Sequence, residues 1–291
     1  GVKLDDLDAE AREALAVQAA RLLKQSVAGL QQSLRTRSEL KNELRLALTT
    51  VQSAGNNPLK QVGDAGEALT ALRDNPAVRV VILVGAGDKA FVSGADISQF
   101  EKTRHNAEAS EEYSRRSAAQ RALLADYPKP TIACIRGFCL GGGMQVAMLT
   151  DIRISGVSGQ FGIPAAKLGI AYGYDGLRHL VSLVGPSWAR LIMYTGMRID
   201  CAEALRIGLV DRVLPDAELW DATMEIARTI SGNAPLAIKA AKITIAQVLK
   251  DPADRDMAAI RQIGIDCMDS ADFREGRNAF MEKRKPQFKG R

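Results

Sequence analysis

Apolar residues near the front of the chain recur at helical spacing. Leu23, Val27, Leu30 and Leu34 lie four, three and four residues apart, which places them on one face of a 3.6-residue period. Charged residues fill the other face. Arg37 breaks the series and Leu40, Leu44 and Leu48 resume it in a shifted register, so the pattern predicts two packed helices, or one helix broken near Thr36 to Ser38, between Leu7 and about Leu48. Ser53-Ala54-Gly55-Asn56-Asn57-Pro58 ends the helical pattern, because Gly, Asn and Pro punctuate regular structure.

After residue 63 helical stretches alternate with short β-branched runs. A helix is expected over Ala65 to Leu72, ended by Asp74-Asn75-Pro76. Val78 to Val84 is a nearly continuous apolar run, as in strands covered on both faces. A helix over Ala107 to Asp126, a strand over Thr131 to Ile135, a glycine-rich turn, a helix from about Gly142 to Leu149 and a strand over Ile152 to Ser155 follow. Such repeated units predict a layered α/β domain. From Pro186 onward the pattern is mainly helical: Ser187 to Tyr194, Cys201 to Ile207, Ala217 to Ile230, Pro235 to Leu249, Ala253 to Met268 and Phe273 to Lys283. A helical tail after a sheet suggests a lid or an oligomer interface. The division expected is 1–62, a helical N-terminal segment, and 63–291, an α/β domain with a C-terminal helical region.

Composition narrows the function. With 291 residues, 46% hydrophobic and 25% charged, the chain has ordinary globular usage and length enough for a full core. No apolar run is long enough to span a bilayer, and the acidic opening lacks the order of an export signal. Cys134, Cys139, Cys201 and Cys267 form no CxxC pair, which reads as small apolar residues in a reducing compartment, not a disulfide frame or metal site. A cytoplasmic setting follows as the expectation. The net charge of +5 draws on the basic tail, Arg274 to Arg291; without aromatic interleaving it reads as a solvated basic face, not a nucleic-acid site, and it suits a polyanionic small molecule.

Two glycine turns carry candidate chemistry: Ser93-Gly94-Ala95-Asp96-Ile97 and Leu140-Gly141-Gly142-Gly143-Met144. Each lies before a predicted helix, whose first N–H groups are unpaired and able to hold a negatively charged oxygen. Either turn alone is equally a tight packing turn.

Taken together they resemble the crotonase (enoyl-CoA hydratase/isomerase) family. Lys89-Ala90-Phe91-Val92-Ser93-Gly94-Ala95-Asp96-Ile97 is similar to its GAD turn, and Lys129-Pro130-Thr131-Ile132-Ala133 through Gly141-Gly142-Gly143 to its second turn. Asp151-Ile152-Arg153-Ile154, Gln160-Phe161-Gly162, Leu168-Gly169, Leu183-Val184-Gly185, Tyr194-Thr195-Gly196, Ala202 to Val213 and Phe280 to Lys289 follow at family spacings. The resemblance implies a ClpP/crotonase layered β-β-α superhelix core and an enzyme acting on an acyl-CoA thioester. It implies an oxyanion hole made by the backbone amides of Ala95 and Gly142, which stabilises an enolate-like intermediate. Ala90, Gly94, Asp96, Ile97, Gly141, Gln145, Ala165 and Tyr172 would then surround the substrate, while Phe280 and Lys283 touch the adenine end of coenzyme A, often across a subunit boundary. It also implies a homotrimer or hexamer, no permanently bound cofactor and no metal, with coenzyme A arriving as part of the substrate.

Departures from the family are informative. Hydratases of the family use two glutamates where this chain has Gln145 and Ala165, and neither residue titrates. The remaining candidate for proton transfer is Asp175, in the loop that approaches the acyl group in the family, though it reads equally as a turn residue or helix cap. Tyr172 and Tyr174 line the acyl pocket or simply pack. Asp96 is expected to cap its helix and Asp151 to order a turn. His105 and His179, the chain's two histidines, have no nucleophile motif nearby and no role is assigned to them. The front of the chain departs too: Arg37 to Arg45 (RSELKNELR) and Asn56-Asn57-Pro58-Leu59-Lys60 resemble the helical C-terminal region of type VI secretion FHA-domain proteins, which implies an interaction segment and a sheet short of its front strands. An alternative function follows: a non-catalytic acyl-CoA-binding or scaffold protein lacking the hydratase glutamates. Thioesterase, dehalogenase or decarboxylase-like chemistry on the same fold is a third.

Overall fold

The computed structural model describes residues 46–50, 65–94 and 107–291. The chain divides into Gly1–Glu43 and Leu44–Arg291, and the described residues all belong to the second unit. Its first sheet has five strands in the order β1-β2-β4-β6-β9, formed by β1 (Leu46–Thr50), β2 (Val81–Gly85), β4 (Thr131–Ile135), β6 (Ile152–Gly156) and β9 (Arg212–Leu214). The second sheet runs β3-β5-β7-β8, with β3 (Ala90–Val92), β5 (Phe138–Leu140), β7 (Gln160–Gly162) and β8 (Arg198–Asp200). Pairing is parallel except at β1 against β2 and β7 against β8.

The central strands β2, β4 and β6 of the five-stranded sheet are buried on both faces, as the apolar runs of β2 and β4 predict. Val81, Leu83, Ala133 and Ile135 point into a core shared with the second sheet, while Ile82, Ile132 and Cys134 point the other way. The first core packs Leu69 and Leu72 of α1 (Ala65–Asp74), Leu124 of α2 (Ala107–Ala125), Met144 of α3 (Gly142–Met148) and Leu180 of α4 (Tyr174–Thr195) against Phe91, Cys139, Phe161 and Ile199 of the short strands. On the far face, Leu219 and Ala227 of α6 (Leu219–Gly232) cover Ile82 and Ile154. Each fully buried Ile or Leu contributes roughly 1.5–3 kcal/mol.

Polar ties lock the strand ends. Asp151 orders its turn as expected: its carboxylate accepts from the Thr131 amide at 2.7 Å, the Thr131 hydroxyl at 3.0 Å and the Lys242 ammonium at 2.8 Å. The remaining helices are α5 (Cys201–Arg206), α7 (Pro235–Val248), α8 (Met257–Asp269) and α9 (Ala271–Met281). Asp200, Asp256 and Ser270 cap α5, α8 and α9 through their side chains. Cys134, Cys139 and Cys201 are buried thiols and Cys267 is half-buried.

Three expectations are corrected. Leu48, read as the last residue of a helical stripe, sits in β1, where Leu48 pairs with Leu83. Leu46 and Leu48 also satisfy a period of two, and Thr49 and Thr50 are β-branched, so the open edge of β2 decides in favour of strand. The sheet thus has an N-terminal strand on β2. The rest of the expected front helices lies outside the described residues. Secondly, the three-residue strands β3, β5, β7, β8 and β9 were not expected as separate elements. Thirdly, Gly169 to Gly176 was read as loop, yet α4 begins at Tyr174 with Gly173 as its N-cap and continues to Thr195, kinked at Gly185 (φ 74°) before Pro186.

Candidate active site

β3 and β5 are parallel neighbours, with Ala90 opposite Phe138 and Val92 opposite Cys139, so the turns that leave their C-terminal ends emerge side by side. Gly94 has φ 100° and Gly141 φ 54°, backbone conformations that favour glycine. A Cβ on Gly94 would lie 3.3 Å from the Leu140 carbonyl oxygen, and one on Gly141 3.9 Å from the Gly94 Cα. The two turns therefore meet backbone to backbone. The Gly141 N–H is taken by the Gly162 carbonyl at 2.8 Å, which ties the second turn to β7. Gly142 is the first residue of α3, so its N–H has no acceptor within the helix, and a Cβ there would meet nothing within 4 Å. Ala95, the second expected donor, together with Asp96 and Ile97, lies outside the described residues, as does His105.

Beyond α3 a cleft of about 330 Å³ opens between α2, α3 and the first turns of α4, within the size range of small-molecule sites. Gln145, Met148 and Leu149 form one side, Arg121 and Asp126 another, and Tyr174, Asp175, Arg178 and His179 a third. Gln145 and Asp175 are thus brought to one cavity. The Gln145 amide nitrogen would lie 2.5 Å from a Cβ on Gly176, so the start of α4 lies directly against the Gln145 side chain. Asp175 occupies the first turn of α4, not its cap. His179 is half-buried; burial and then the Arg178 guanidinium push its imidazole below the usual pKa, while Asp175 pulls it up.

The other expected residues separate from this cavity. Ala165 is buried in the core, within the 3-10 turn Pro164–Leu168, and Tyr172 is partly buried against the same core. Ala90 is half-buried at the start of β3. Phe280, 83% exposed on α9, and Lys283, exposed just beyond it with φ 54°, do not line the cleft. Arg121, Arg178 and His179 do line it and were missed. The available signal was the spacing of four between Asp175 and His179, legible only once that stretch is known to be helical.

Comparison with known proteins agrees with this architecture. Residues 13–291 match the enoyl-CoA hydratase/isomerase family profile, which therefore begins well before residue 63. Over 222 residues the chain is 37% identical to the crotonyl-CoA hydratase of Syntrophomonas wolfei, covering 76% of this chain and 85% of that protein. It is 38% identical over 221 residues to the short-chain-enoyl-CoA hydratase of Clostridium acetobutylicum, covering 76% and 84%. Among solved structures, an enoyl-CoA hydratase/carnithine racemase from Magnetospirillum magneticum superposes with a TM-score of 0.74 at 36% identity, covering 78% of this chain and 84% of that one.

Proposed function

Since this chain belongs to the enoyl-CoA hydratase/isomerase family, we propose that it acts on an acyl-CoA thioester whose carbonyl oxygen is held by the backbone amides of Ala95 and Gly142. The observation that carries the proposal is the meeting of the Gly94 and Gly141 backbones beside the Gly142 amide, which has no acceptor within its helix. When a proton leaves the carbon next to the thioester, negative charge develops on that oxygen, and donors already in place lower the barrier. The acyl portion runs into the cleft beside Gln145, where Asp175 takes part in proton transfer.

The reaction as proposed needs no resident cofactor, since coenzyme A arrives with the substrate. Its adenine end meets Phe280 and Lys283 of a neighbouring subunit in a homotrimer or hexamer; the exposed Phe280 and Met281 of α9 support such a contact. Among the described residues no helix is long and apolar enough to cross a membrane, and the cysteine usage supports a cytoplasmic setting. A partner-binding role for the front of the chain rests on the runs Arg37 to Arg45 and Asn56 to Lys60 alone.

Gln145 and the buried Ala165 favour a second reading, an acyl-CoA-binding protein without turnover. A panel of short and long enoyl-CoAs, followed by absorbance and product mass, with calorimetry alongside, separates the two. Turnover is the expected result; tight binding without turnover supports the second reading, and absence of binding overturns both.

A further inference from the structure

We propose that Gly143 is a positioning residue for the two amide donors: its bare Cα lets α3 stand on the end of β3, and this contact sets the spacing of the Ala95 and Gly142 N–H groups. The proposal rests on the oxyanion reading above and adds to it the residue that fixes the geometry. The three consecutive glycines of the second turn differ in what surrounds them. Gly141 has φ 54°, so its need for glycine is conformational. A Cβ on Gly142 would meet nothing within 4 Å, so packing makes no demand there. Gly143 is buried, and a Cβ on it would lie 2.0 Å from the Val92 carbonyl oxygen and 2.7 Å from the Val92 Cβ. Val92 is the last residue of β3, two residues before Gly94, and its carbonyl is main chain that no rotamer change moves aside.

The contact is one half of a reciprocal pair. Gly94 of the first turn faces the Leu140 carbonyl oxygen, with a Cβ there at 3.3 Å, while Gly143 of the second faces the Val92 carbonyl. The two contacts bracket the donors, since Ala95 follows Gly94 in the chain and Gly142 precedes Gly143. On its other side the second turn is tied to β7 by the bond from the Gly141 N–H to the Gly162 carbonyl, 2.8 Å long. Ordinary van der Waals contact begins at 3.4 Å against the 2.0 Å found here, so Gly143→Ala forces α3 and β3 apart by about 1.4 Å, the difference of the two. An oxyanion takes both hydrogen bonds only while each donor lies about 2.7–3.1 Å from it. A displacement on the order of 1 Å therefore removes one of them, a misplacement that costs about 10²-fold in rate.

The test uses the full chain and its Gly143→Ala and Gly85→Ala variants. Gly85 ends β2, and a Cβ on it would lie 2.1 Å from the Ala90 carbonyl oxygen, so Gly85→Ala crowds the same strand at the end away from the turns. The probe is butyryl-CoA, a saturated thioester whose carbonyl stretching frequency, read in isotope-edited infrared difference spectra of the bound state, falls as its oxygen accepts hydrogen bonds. Crotonyl-CoA turnover and thermal melting are followed alongside. Wild type is expected to lower the carbonyl frequency. Gly143→Ala should lose about half of that lowering, one donor of two, with kcat down about 10²-fold and KM within about threefold. Gly85→Ala should melt lower yet keep the full lowering and its kcat. Because the frequency comes from bound molecules alone, a smaller folded fraction does not change it. If Gly143→Ala does not fold, its combination with Val92→Gly, which removes the crowded Cβ and leaves the carbonyl, replaces it with the same expectation. Full lowering in Gly143→Ala overturns the proposal and leaves the oxyanion reading standing, as does an equal loss in Gly85→Ala. A wild type that leaves butyryl-CoA unbound, or binds it without lowering the frequency, overturns both.

Discussion

The cleft and the C-terminal tail use charge in opposite ways. Around the cleft, Arg121, Asp126, Asp175 and Arg178 converge, and none of them is joined in an ion pair among the described residues. At the tail several charges are engaged. Arg284 pairs with Glu275 and Glu282, Arg79 donates to the Ser231 and Phe288 carbonyls, and buried Asp272 accepts the Lys289 and Gly290 amides, both at 2.7 Å. The tail's charges fasten the chain end to α9, whereas those of the cleft remain available to a ligand. Function is therefore expected to follow the glycine turns and the cleft, and stability the tail.

The sharpest way to break this contrast is Gly142→Pro. Proline is tolerated at the first position of a helix and removes the N–H. Loss of one oxyanion donor is expected to lower kcat about 10²–10³-fold, or about 2.7–4 kcal/mol, with little change in melting temperature. An unaffected kcat would remove Gly142 from the mechanism. A smaller effect is expected at the tail: Asp272→Ala leaves two backbone amides without their acceptor and should cost about 2–4 kcal/mol in denaturant unfolding. Stability equal to wild type would show that the tail does not depend on that carboxylate.

The smallest effect is a pH dependence confined to the tail. The Arg284 guanidinium, with the Gln287 amide, holds the Glu275 carboxyl down at about 2. A carboxylate depressed in the folded state stabilises it above its ordinary value and loses that contribution as pH falls towards the folded value. Hydrogen exchange of the amides beyond Arg284 should therefore stay protected at pH 5 and accelerate on approach to about pH 2. Exchange that accelerates already near the ordinary carboxylate value would contradict the pairing.

Long, strongly patterned elements were legible in the sequence. β4 matches its expected span, Thr131–Ile135, and α2 ends within a residue of expectation, because sustained apolar runs and helical periodicity act locally. The three-residue strands left no such trace. β3, β5, β7 and β8 are too short to show a period, and each is a strand only because a neighbour lies beside it. The start of α4 was hidden by Gly173 and Gly176, which read as turn residues, whereas in the structure Gly173 is the N-cap of α4 and Gly176 lies in its first turn. His179 went unassigned because no nucleophile motif lies near it in the sequence; that it lines one cleft with Asp175 follows only from their places on α4.

From the order of residues alone came the two glycine turns, the non-titrating Gln145 and Ala165, and the run of short blocks that resembles the family. These are properties of individual side chains and local backbone preference, carried wherever the chain goes. Folding decided what stands next to what: β3 beside β5, so that Gly94 meets Gly141; β1 on the edge of β2; and one cleft in which Gln145, Asp175 and His179 face each other. Such neighbours are distant in the chain, and packing between sheets and helices sets their approach, which no local pattern encodes.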